Sequence, residues 1–320
     1  MIRIAVLRGG ISSEYDVSLV TGGSVINALK DKYRVKDVLI DKQGIWHMDG
    51  IPVMPERVCR NADVVFNALH GEYGEDGKVQ QILNLFQVPY TGSESFSSAL
   101  AMNKMLTKEV FKRFGIRTPL GYVYSHEESP VEISHNVFRK ISPPWVVKPT
   151  NGGSSVGTSI ARNFEELLNG VMNAFGYGEK VLIEEFISGK EATCGVIDNF
   201  RGKKIYSLLP VEIVKPTERD FFDYQCKYDG SSKEICPGNF RREDSETIQD
   251  MAAKIHQAIG LRHYSRSDFI VHPKRGVYAL EVNTLPGLTP ESLFPKSIKA
   301  VGCSYNDFLD HLINLALEGK

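Results

Sequence analysis

Two carboxylates and an asparagine near the end of the chain stand at spacings that bring them together. They lie in two strand-like runs, 268–272 and 277–283, joined by the turn-forming residues Pro-Lys-Arg-Gly, which favours a hairpin. Pairing outward from positions 272 and 277 places Asp268 opposite Glu281, while alternation puts Glu281 and Asn283 on the same face. The same register sets residue 266 opposite residue 283. The pattern therefore predicts a cluster of oxygen ligands on one face of a hairpin.

Directly opposed carboxylates indicate a bound cation, because like charges destabilise a strand pair unless something positive lies between them. Asp, Glu and Asn oxygens are the ligands that hold Mg²⁺ alongside phosphate oxygens. A hairpin edge with solvated acids is the ordinary alternative for a lone Asp and Glu. The ligand types, the register and the glycine-containing loop TLPGLTP that follows agree with one another, so the sequence favours a magnesium site.

The segment 148–157 has the composition of an anion-binding loop. Lys148 ends the apolar run PPWVVKP, and TNGGSSVGTSI follows with three glycines before another strand. Glycine allows close backbone approach, consecutive N–H groups and the hydroxyls of Ser154 and Ser155 can converge on phosphate oxygens, and Lys148 adds a positive charge. The order differs from GxxxxGK[ST], so P-loop mechanics do not apply. A flexible hairpin tip is the usual alternative for a Gly/Ser run.

Two further candidates depend on their surroundings. Lys104 lies in the first turn of a predicted helix, 103–114, where a cation opposes the helix dipole; it is either solvated or faces an anionic ligand. The strand-like run KVLIEEF leads to Glu191, which suits a ribose hydroxyl acceptor, with backbone groups of 185–187 for adenine. A surface acid is an equally good interpretation of Glu191. The predicted helix turns these side chains inward: Leu106, Val110, Phe111 and Phe114.

Composition sets broad limits on function. The chain has 320 residues, 42% hydrophobic and 24% charged, which predicts two or three subdomains. Lys and Arg number 38 against 39 for Asp and Glu, so no polyanion-binding signature predicts a nucleic-acid partner. The five scattered cysteines form no CxxC and favour reduced thiols in the cytoplasm. No signal-like N-terminus and no apolar run long enough for a membrane span are evident, so no membrane partner is predicted.

The first part of the chain alternates strands and helices, which predicts a parallel sheet to about residue 96. After a first strand and Gly9-Gly10, Ser13 and Asp16 form a predicted capping box for a helix that carries Val20 on its apolar face. GxGxxG is absent, so a dinucleotide fold has little support. His70, in NALHGEYGEDG at a strand end, is the one histidine in a site context. The segment 216–240 shows neither the helical nor the strand period of apolar residues but contains five aromatic residues. It is predicted to be a lid.

The motifs are HGEYGEDG at 70–77, PYTGS at 89–93, KPTNGGSSVG at 148–157, Lys227-Tyr228, and EVNTLPGLTPESLFP at 281–295. Jointly they resemble the D-alanine–D-alanine ligase family of the ATP-grasp superfamily, over essentially the whole chain. The resemblance implies a mixed α/β fold with an N-terminal parallel-sheet domain (1–98), a central domain (99–186) and a C-terminal antiparallel-sheet domain (187–320) that carries the lid. ATP would lie between the latter two domains.

The resemblance also implies roles for individual positions. Those implied for ATP binding are Lys104, Lys148, Gly153, Ser154, Ser155, Glu184, Glu185, Ile187, Glu191 and Lys227. Those implied for metal binding are Asp268, Glu281 and Asn283. Catalytic roles fall to Glu14, Ser154 and Tyr228 as a hydrogen-bonded set, and to Arg266 with the Gly287 amide as oxyanion stabilisers. Glu14 and His70 would border the first D-alanine, and Lys227, Tyr228, Arg266, Gly287, Ser292 and Leu293 complete the implied substrate set. Glu185 departs from the family, in which many relatives carry Lys.

The implied function is ATP-dependent ligation of two D-alanines through an acyl phosphate, for peptidoglycan precursor synthesis. A carboxylate is a poor acyl donor, so phosphorylation by ATP with Mg²⁺ activates it without a protein nucleophile. Two Mg²⁺ ions, with Mn²⁺ as a substitute, and a homodimer are also expected. By the same resemblance Tyr228 favours an amine acceptor over D-lactate, and the apolar Leu293 favours D-alanine over D-serine. The alternatives are another carboxylate–amine ligase that uses D-lactate or D-serine, and a non-catalytic nucleotide-binding regulator.

Overall fold

Three β-sheets form the framework of the part of the chain that the structure describes. The computed structural model describes residues 1–153, 156–215 and 232–319. The mixed α/β class expected from the sequence is confirmed. Among the described residues, no helix combines the length and apolar character needed to cross a bilayer.

The first sheet has the strand order β4-β3-β2-β1-β5. Its strands are β1 (Arg3–Gly9), β2 (Arg34–Ile40), β3 (Trp46–Met48), β4 (Ile51–Val53) and β5 (Val64–Asn67). Strand β1 pairs in parallel with β2 and β5, as predicted, whereas β3 and β4 continue the sheet in antiparallel pairs. Short turns with left-handed residues, Gly44 and Asp49-Gly50, make these antiparallel hairpins possible.

Helices α1 (Tyr15–Leu29), α2 (Pro55–Arg60), α3 (Lys78–Leu85) and α4 (Ser95–Met102) accompany this sheet. The predicted capping box at the start of α1 is wrong: the N-cap is Glu14, whose side chain makes no capping bond. Val20 is 57% exposed, because α1 turns a face of small residues to β1. A Cβ on Gly22 would lie 2.5 Å from the Arg8 Cβ, so this close packing requires glycine.

The second sheet is antiparallel, with the order β6-β9-β7-β8. Its strands are β6 (Gly121–Ser125), β7 (Trp145–Pro149), β8 (Ser159–Ala161) and β9 (Lys180–Glu185), preceded by helix α5 (Lys104–Arg113) and covered by α6 (Pro130–Lys140) and α7 (Phe164–Phe175). The start of α5 is as predicted, with the Asn103 side chain accepting the Leu106 N–H. Its apolar face is only partly as predicted, since Phe111 is buried but Leu106 and Phe114 are 45% and 44% exposed.

The third sheet, also antiparallel, runs β13-β12-β10-β14-β15, with β11 paired to β10. Its strands are β10 (Lys190–Phe200), β11 (Lys203–Ser207), β12 (Val211–Val214), β13 (Lys233–Ile235), β14 (Tyr264–His272) and β15 (Gly276–Asn283). Helix α8 (Arg242–Ile259) and Phe111 of α5 share its core. Helices α9 (Leu293–Ala300) and α10 (Tyr305–Glu318) pack instead in one core with β1 and β5, so the end of the chain joins the first sheet to the third.

The β14–β15 hairpin reaches the predicted register by an unpredicted route. Asp268 pairs with Glu281, and Arg266 with Asn283, as expected. At the turn, however, His272 pairs with Gly276 rather than with residue 277. A register shift between Asp268 and Phe269 restores the alignment, because a bulge sets two residues of one strand against one of the other.

Candidate active site

Two cavities meet where the three sheets approach one another. The larger, of about 330 Å³, is lined by residues of the second and third sheets. The smaller, of about 220 Å³, lies between the loops after β1 and β5 and the loop after β15. Four of the residues that the structure describes line both: Lys104, Gly152, Gly153 and Glu281. A ligand in one cavity can therefore reach a ligand in the other at this junction.

A buried glutamate holds two lysines at the side of the larger cavity. The Lys148 ammonium lies 2.6 Å from Glu184 Oε2, and the Lys108 ammonium lies 2.7 Å from Glu184 Oε1. Burial favours protonation of Glu184, but the two lysines outweigh it and lower the pKa of the carboxyl group. Burial opposes charge on Lys148, yet Glu184 and Glu281 raise its pKa. Lys148 therefore remains a cation beside the cavity, as the sequence predicts.

The carboxylate of Glu184, predicted as an ATP contact, is thus occupied by two lysines. The structure places Glu184 in the wall of the larger cavity, with its Oε2 against the Lys148 ammonium. Lys108 was missed by the sequence reasoning because it lies in an ordinary amphipathic helix. The signal that could have found Lys108 is a lysine on the inward face of that helix, where the pattern favours an apolar side chain.

The predicted metal ligands come together on one face of the third sheet. Asp268 accepts two hydrogen bonds from Arg266, from Nε to Oδ1 and from Nη2 to Oδ2, both 3.0 Å. The Thr193 hydroxyl donates to Asp268 Oδ1 at 2.7 Å. Glu281 lies 3.9 Å from the Lys104 ammonium. Arg266 and Lys104 thus balance the opposed carboxylates, so the charge argument does not by itself require a metal.

The chemistry of the donor set nevertheless fits a magnesium ion. Asn283 Oδ1 accepts the Leu285 N–H at 2.9 Å, and an amide oxygen has a second lone pair. Two carboxylates and one amide oxygen on one sheet face are hard ligands of the type that Mg²⁺ takes beside phosphate. Across the described ranges, no cluster of three or more His, Cys, Asp or Glu side chains has metal-binding geometry, and this set contains only two acids.

The far end of the larger cavity contains the predicted base and ribose residues. Ile187, which is 5% exposed, and Glu185 line it. Glu191 Oε1 lies 2.6 Å from the Lys215 ammonium, so Glu191 is not an isolated surface acid. Lys215 also lines the cavity and was missed. Its signal was the strand–Lys–Pro pattern of VEIVKP, which repeats the WVVKP that precedes the anion-binding loop.

A buried histidine–glutamate pair forms one wall of the smaller cavity. His70 Nε2 lies 2.9 Å from the Thr21 hydroxyl, and His70 Nδ1 lies 3.8 Å from Glu75 Oε1. Glu75 also accepts the Gly71 N–H at 2.9 Å. Burial raises the pKa of the Glu75 carboxyl group despite its contact with His70, and the nearby Glu14 adds to the shift. Glu75 was missed, although it belongs to the same HGEYGEDG motif.

The opposite wall carries the remaining predicted substrate residues. Arg266 and Gly287 line the smaller cavity with Glu14 and His70. The Ser292 hydroxyl accepts the Thr289 N–H at 3.2 Å and lies 2.8 Å from the Thr289 hydroxyl. Leu293 is 9% exposed and packs against Val211 and Ile213. These side chains give this end of the cavity an apolar surface beside a fixed hydroxyl.

Some predicted residues fall outside the part of the chain that the structure describes. They are Ser154, Ser155, Lys227, Tyr228 and residues 216–231 of the predicted lid. Their roles stay predictions.

Comparisons with known proteins cover most of the chain. The family model described as "D-ala D-ala ligase C-terminus" matches residues 111–314, and that described as "D-ala D-ala ligase N-terminus" matches residues 3–53 and 50–93. The chain is 38% identical to D-alanine–D-alanine ligase B of Clostridium perfringens, over 100% of this chain and 99% of the relative.

Solved structures resemble the whole chain as well. A Bacillus anthracis D-alanine–D-alanine ligase complexed with ATP has a TM-score of 0.83 at 31% identity, covering 100% of this chain and 98% of the other. The VanG D-Ala:D-Ser ligase of Enterococcus faecalis has a TM-score of 0.85 at 28% identity, covering 98% and 99%.

Proposed function

Because the chain belongs to the D-alanine–D-alanine ligase family, we propose that it uses ATP to join two D-alanines into D-alanyl-D-alanine for peptidoglycan synthesis. The observation that carries the proposal is the junction of the two cavities at Lys104, Gly152, Gly153 and Glu281. A nucleotide in the larger cavity would extend its phosphates to this junction. An amino acid in the smaller cavity would place its carboxylate there.

The larger cavity supplies the groups that a nucleotide needs. Lys148 and Lys104 would contact the phosphates at the junction, and preorganised cations there stabilise charge on the transferred group. Ile187 and Glu191 would contact the base and the ribose at the other end. Ser154, Ser155 and Lys227 are proposed as further contacts on the strength of the sequence alone.

Asp268, Glu281 and Asn283 would hold the magnesium, and two ions there would neutralise phosphate charge during transfer. Neighbouring groups hold these side chains in place. Thr193 and Arg266 fix the Asp268 carboxylate, and the Leu285 N–H fixes the Asn283 amide. Mn²⁺, which also accepts oxygen ligands, is proposed as a substitute.

The smaller cavity would hold both amino acids. Glu14 and His70 would contact the first D-alanine, with His70 oriented by Thr21 and Glu75. Ser292 and Leu293 would border the second. Arg266 and the Gly287 N–H would stabilise the oxyanion that forms when the second amine attacks.

The reaction then needs no protein nucleophile. A carboxylate oxygen of the first D-alanine bonds to the γ-phosphorus of ATP, and the bond to ADP breaks. The deprotonated amine of the second D-alanine then attacks the carbonyl carbon of the acyl phosphate, and phosphate leaves as the peptide bond forms. Glu14, Ser154 and Tyr228 are proposed to act in positioning these substrates.

We also propose that the chain divides into domains 1–98, 99–186 and 187–320, acts in the cytoplasm and forms a homodimer. The three sheets, which use residues 3–67, 121–185 and 190–283, support the division. Helix α5 shares a core with the third sheet, so it would couple the second and third domains.

Product analysis tests the proposal. The purified protein is incubated with ATP, Mg²⁺ and D-alanine, and the products are measured by mass spectrometry and phosphate release. We expect one phosphate released per D-alanyl-D-alanine formed, with L-alanine inactive. Phosphate release that does not depend on D-alanine, or no dipeptide, would refute it.

A further inference from the structure

Lys108 is a buried cation outside the cavity in which phosphates are proposed to bind. It is 5% exposed, on α5, and its ammonium contacts Glu184 Oε1 at 2.7 Å. The same ammonium donates to the Thr118 hydroxyl, which in turn donates to the Ala279 carbonyl at 2.9 Å. Glu184 lies between Lys108 and Lys148, so Lys108 touches the far side of the carboxylate that holds Lys148.

The charges at this wall show why a second lysine matters. Among the described residues, three lysines, Lys104, Lys108 and Lys148, pair with two glutamates, Glu184 and Glu281. Their sum is one positive charge. Without Lys108 the sum is zero, and Lys148 becomes the single lysine paired with Glu184.

A role in stability alone does not explain Lys108. Burial, which outweighs the attraction of Glu184, lowers the pKa of Lys108 to about 8. A buried ion pair commonly contributes no more to stability than apolar side chains of the same volume. The residue is therefore placed at a site where charge, rather than packing, is the useful property.

We propose that Lys108 is a positioning residue for nucleotide binding, which shares the charge of Glu184 so that Lys148 presents a net positive charge to the phosphates. This inference rests on the proposed nucleotide site. In this proposal Lys108 does not contact the substrate. The effect of Lys108 on the phosphates passes through Glu184.

The test compares nucleotide affinity in single and double variants. Lys108→Met leaves Glu184 paired with Lys148, so the carboxylate keeps a buried partner. Lys112→Met is the matched control, because Lys112 is on the same helix, is 56% exposed and pairs, within the described ranges, with its helix neighbour Glu109. Binding of ADP with Mg²⁺ is measured by calorimetry, and melting temperature monitors folding.

We expect Lys108→Met to weaken ADP binding by about tenfold, the effect of losing one partly screened charge interaction, and to raise KM for ATP without changing KM for D-alanine. Lys112→Met should change neither. In the Glu184→Gln background the further loss caused by Lys108→Met should shrink to less than about threefold, because coupled residues are not additive.

Wild-type ADP affinity in Lys108→Met, or an equal loss in the Glu184→Gln background, would overturn the proposal. If Lys108→Met does not fold, Lys108→Gln keeps a hydrogen-bond donor to Glu184 and takes its place. ADP binding does not require ligation, so a failure of the proposed ligase activity would leave this result interpretable.

Discussion

One nitrogen of Arg275, Nη2, contacts both carboxylate oxygens of Glu185, at 3.0 and 2.8 Å. Glu185 ends β9, and Arg275 lies in the turn between β14 and β15, so this pair ties the second sheet to the third beside the larger cavity. Glu185 Oε1 also accepts the Leu120 N–H at 3.1 Å. The carboxylate at this position is therefore paired with a cation, Arg275.

The first prediction is that Glu185→Ala and Arg275→Ala each raise KM for ATP with little change in kcat. The Arg275 side chain is 45% exposed, so solvent screening limits the effect to less than about tenfold. Because both variants remove the same contact, the double variant should lose no more than either single one. Steady-state kinetics check this, and additive losses would contradict it.

A second prediction concerns Lys148. Lys148→Met should lower turnover by roughly 100-fold or more, because a preorganised cation at the transferred phosphate is lost. The melting temperature should change little, since Glu184 retains Lys108 as a partner. Near-normal turnover would show that the phosphate assignment is wrong, and Lys112→Met serves as the surface-lysine control.

The metal assignment predicts a change in magnesium dependence. Glu281→Gln should raise the Mg²⁺ concentration needed for half-maximal turnover by about tenfold or more, because one charged ligand is replaced by a neutral one. Glu109→Gln, on an exposed carboxylate of α5, is the control. The measurement is a Mg²⁺ titration at saturating ATP and D-alanine. An unchanged titration curve for Glu281→Gln would remove Glu281 from the metal site.

His263 predicts a loss of stability in acid. Its Nδ1 accepts the Gly92 N–H at 3.1 Å, which links the loop between α3 and α4 to the residue before β14. Burial, helped by Arg262, lowers the pKa of His263 to about 3. The charged and titratable groups that face it are Asp198, Arg262, His256 and His311.

Because the folded pKa lies below the unfolded value, the stabilisation is present above about pH 6.5 and is lost as pH falls toward 3. Between pH 7 and pH 5 the loss from His263 is about 2 kcal/mol. His263→Asn is the comparison, since His263 has φ of 67°, which Asn tolerates, and its amide oxygen can accept the Gly92 N–H. The melting temperature of the variant should fall less over this range. Equal falls would contradict the assignment.

The end of the smaller cavity that contains Ser292 and Leu293 predicts D-alanine as the preferred second substrate. Ser292 is engaged by Thr289, and Leu293 is apolar, so the hydroxymethyl group of D-serine would lack a partner. With D-alanine, D-lactate and D-serine at equal concentration near neutral pH, mass spectrometry should show mainly D-alanyl-D-alanine. A depsipeptide or D-alanyl-D-serine as main product would refute the acceptor assignment without touching the fold.

The sequence predicted the ligand face of the hairpin because strand alternation fixes which side chains share a face. It misjudged the turn, where His272 pairs with Gly276, since a bulge is not visible in composition. The pairing is displaced by one residue at the turn, and the bulge between Asp268 and Phe269 reverses this displacement, so Asp268 still pairs with Glu281. The register of the site was therefore correct although the register at the turn was wrong.

Two residues that contact other site residues, Lys108 and Glu75, were missed because the sequence does not show which groups they pair with. Lys108, on α5, contacts Glu184 of β9, whereas Glu75 contacts His70 within a loop whose path is set by tertiary packing. Residue type and spacing identify groups that face a ligand. Partners behind them become visible only when the sheets are assembled.

Transfer of an isotope from substrate to phosphate tests the central claim, that the two cavities meet to phosphorylate a carboxylate. D-alanine labelled with ¹⁸O in both carboxylate oxygens is incubated with ATP and Mg²⁺, and the released phosphate is analysed by mass spectrometry. The account predicts one ¹⁸O atom in each phosphate, because the acyl phosphate oxygen leaves with phosphorus. Dipeptide formed with ¹⁸O-free phosphate would contradict it.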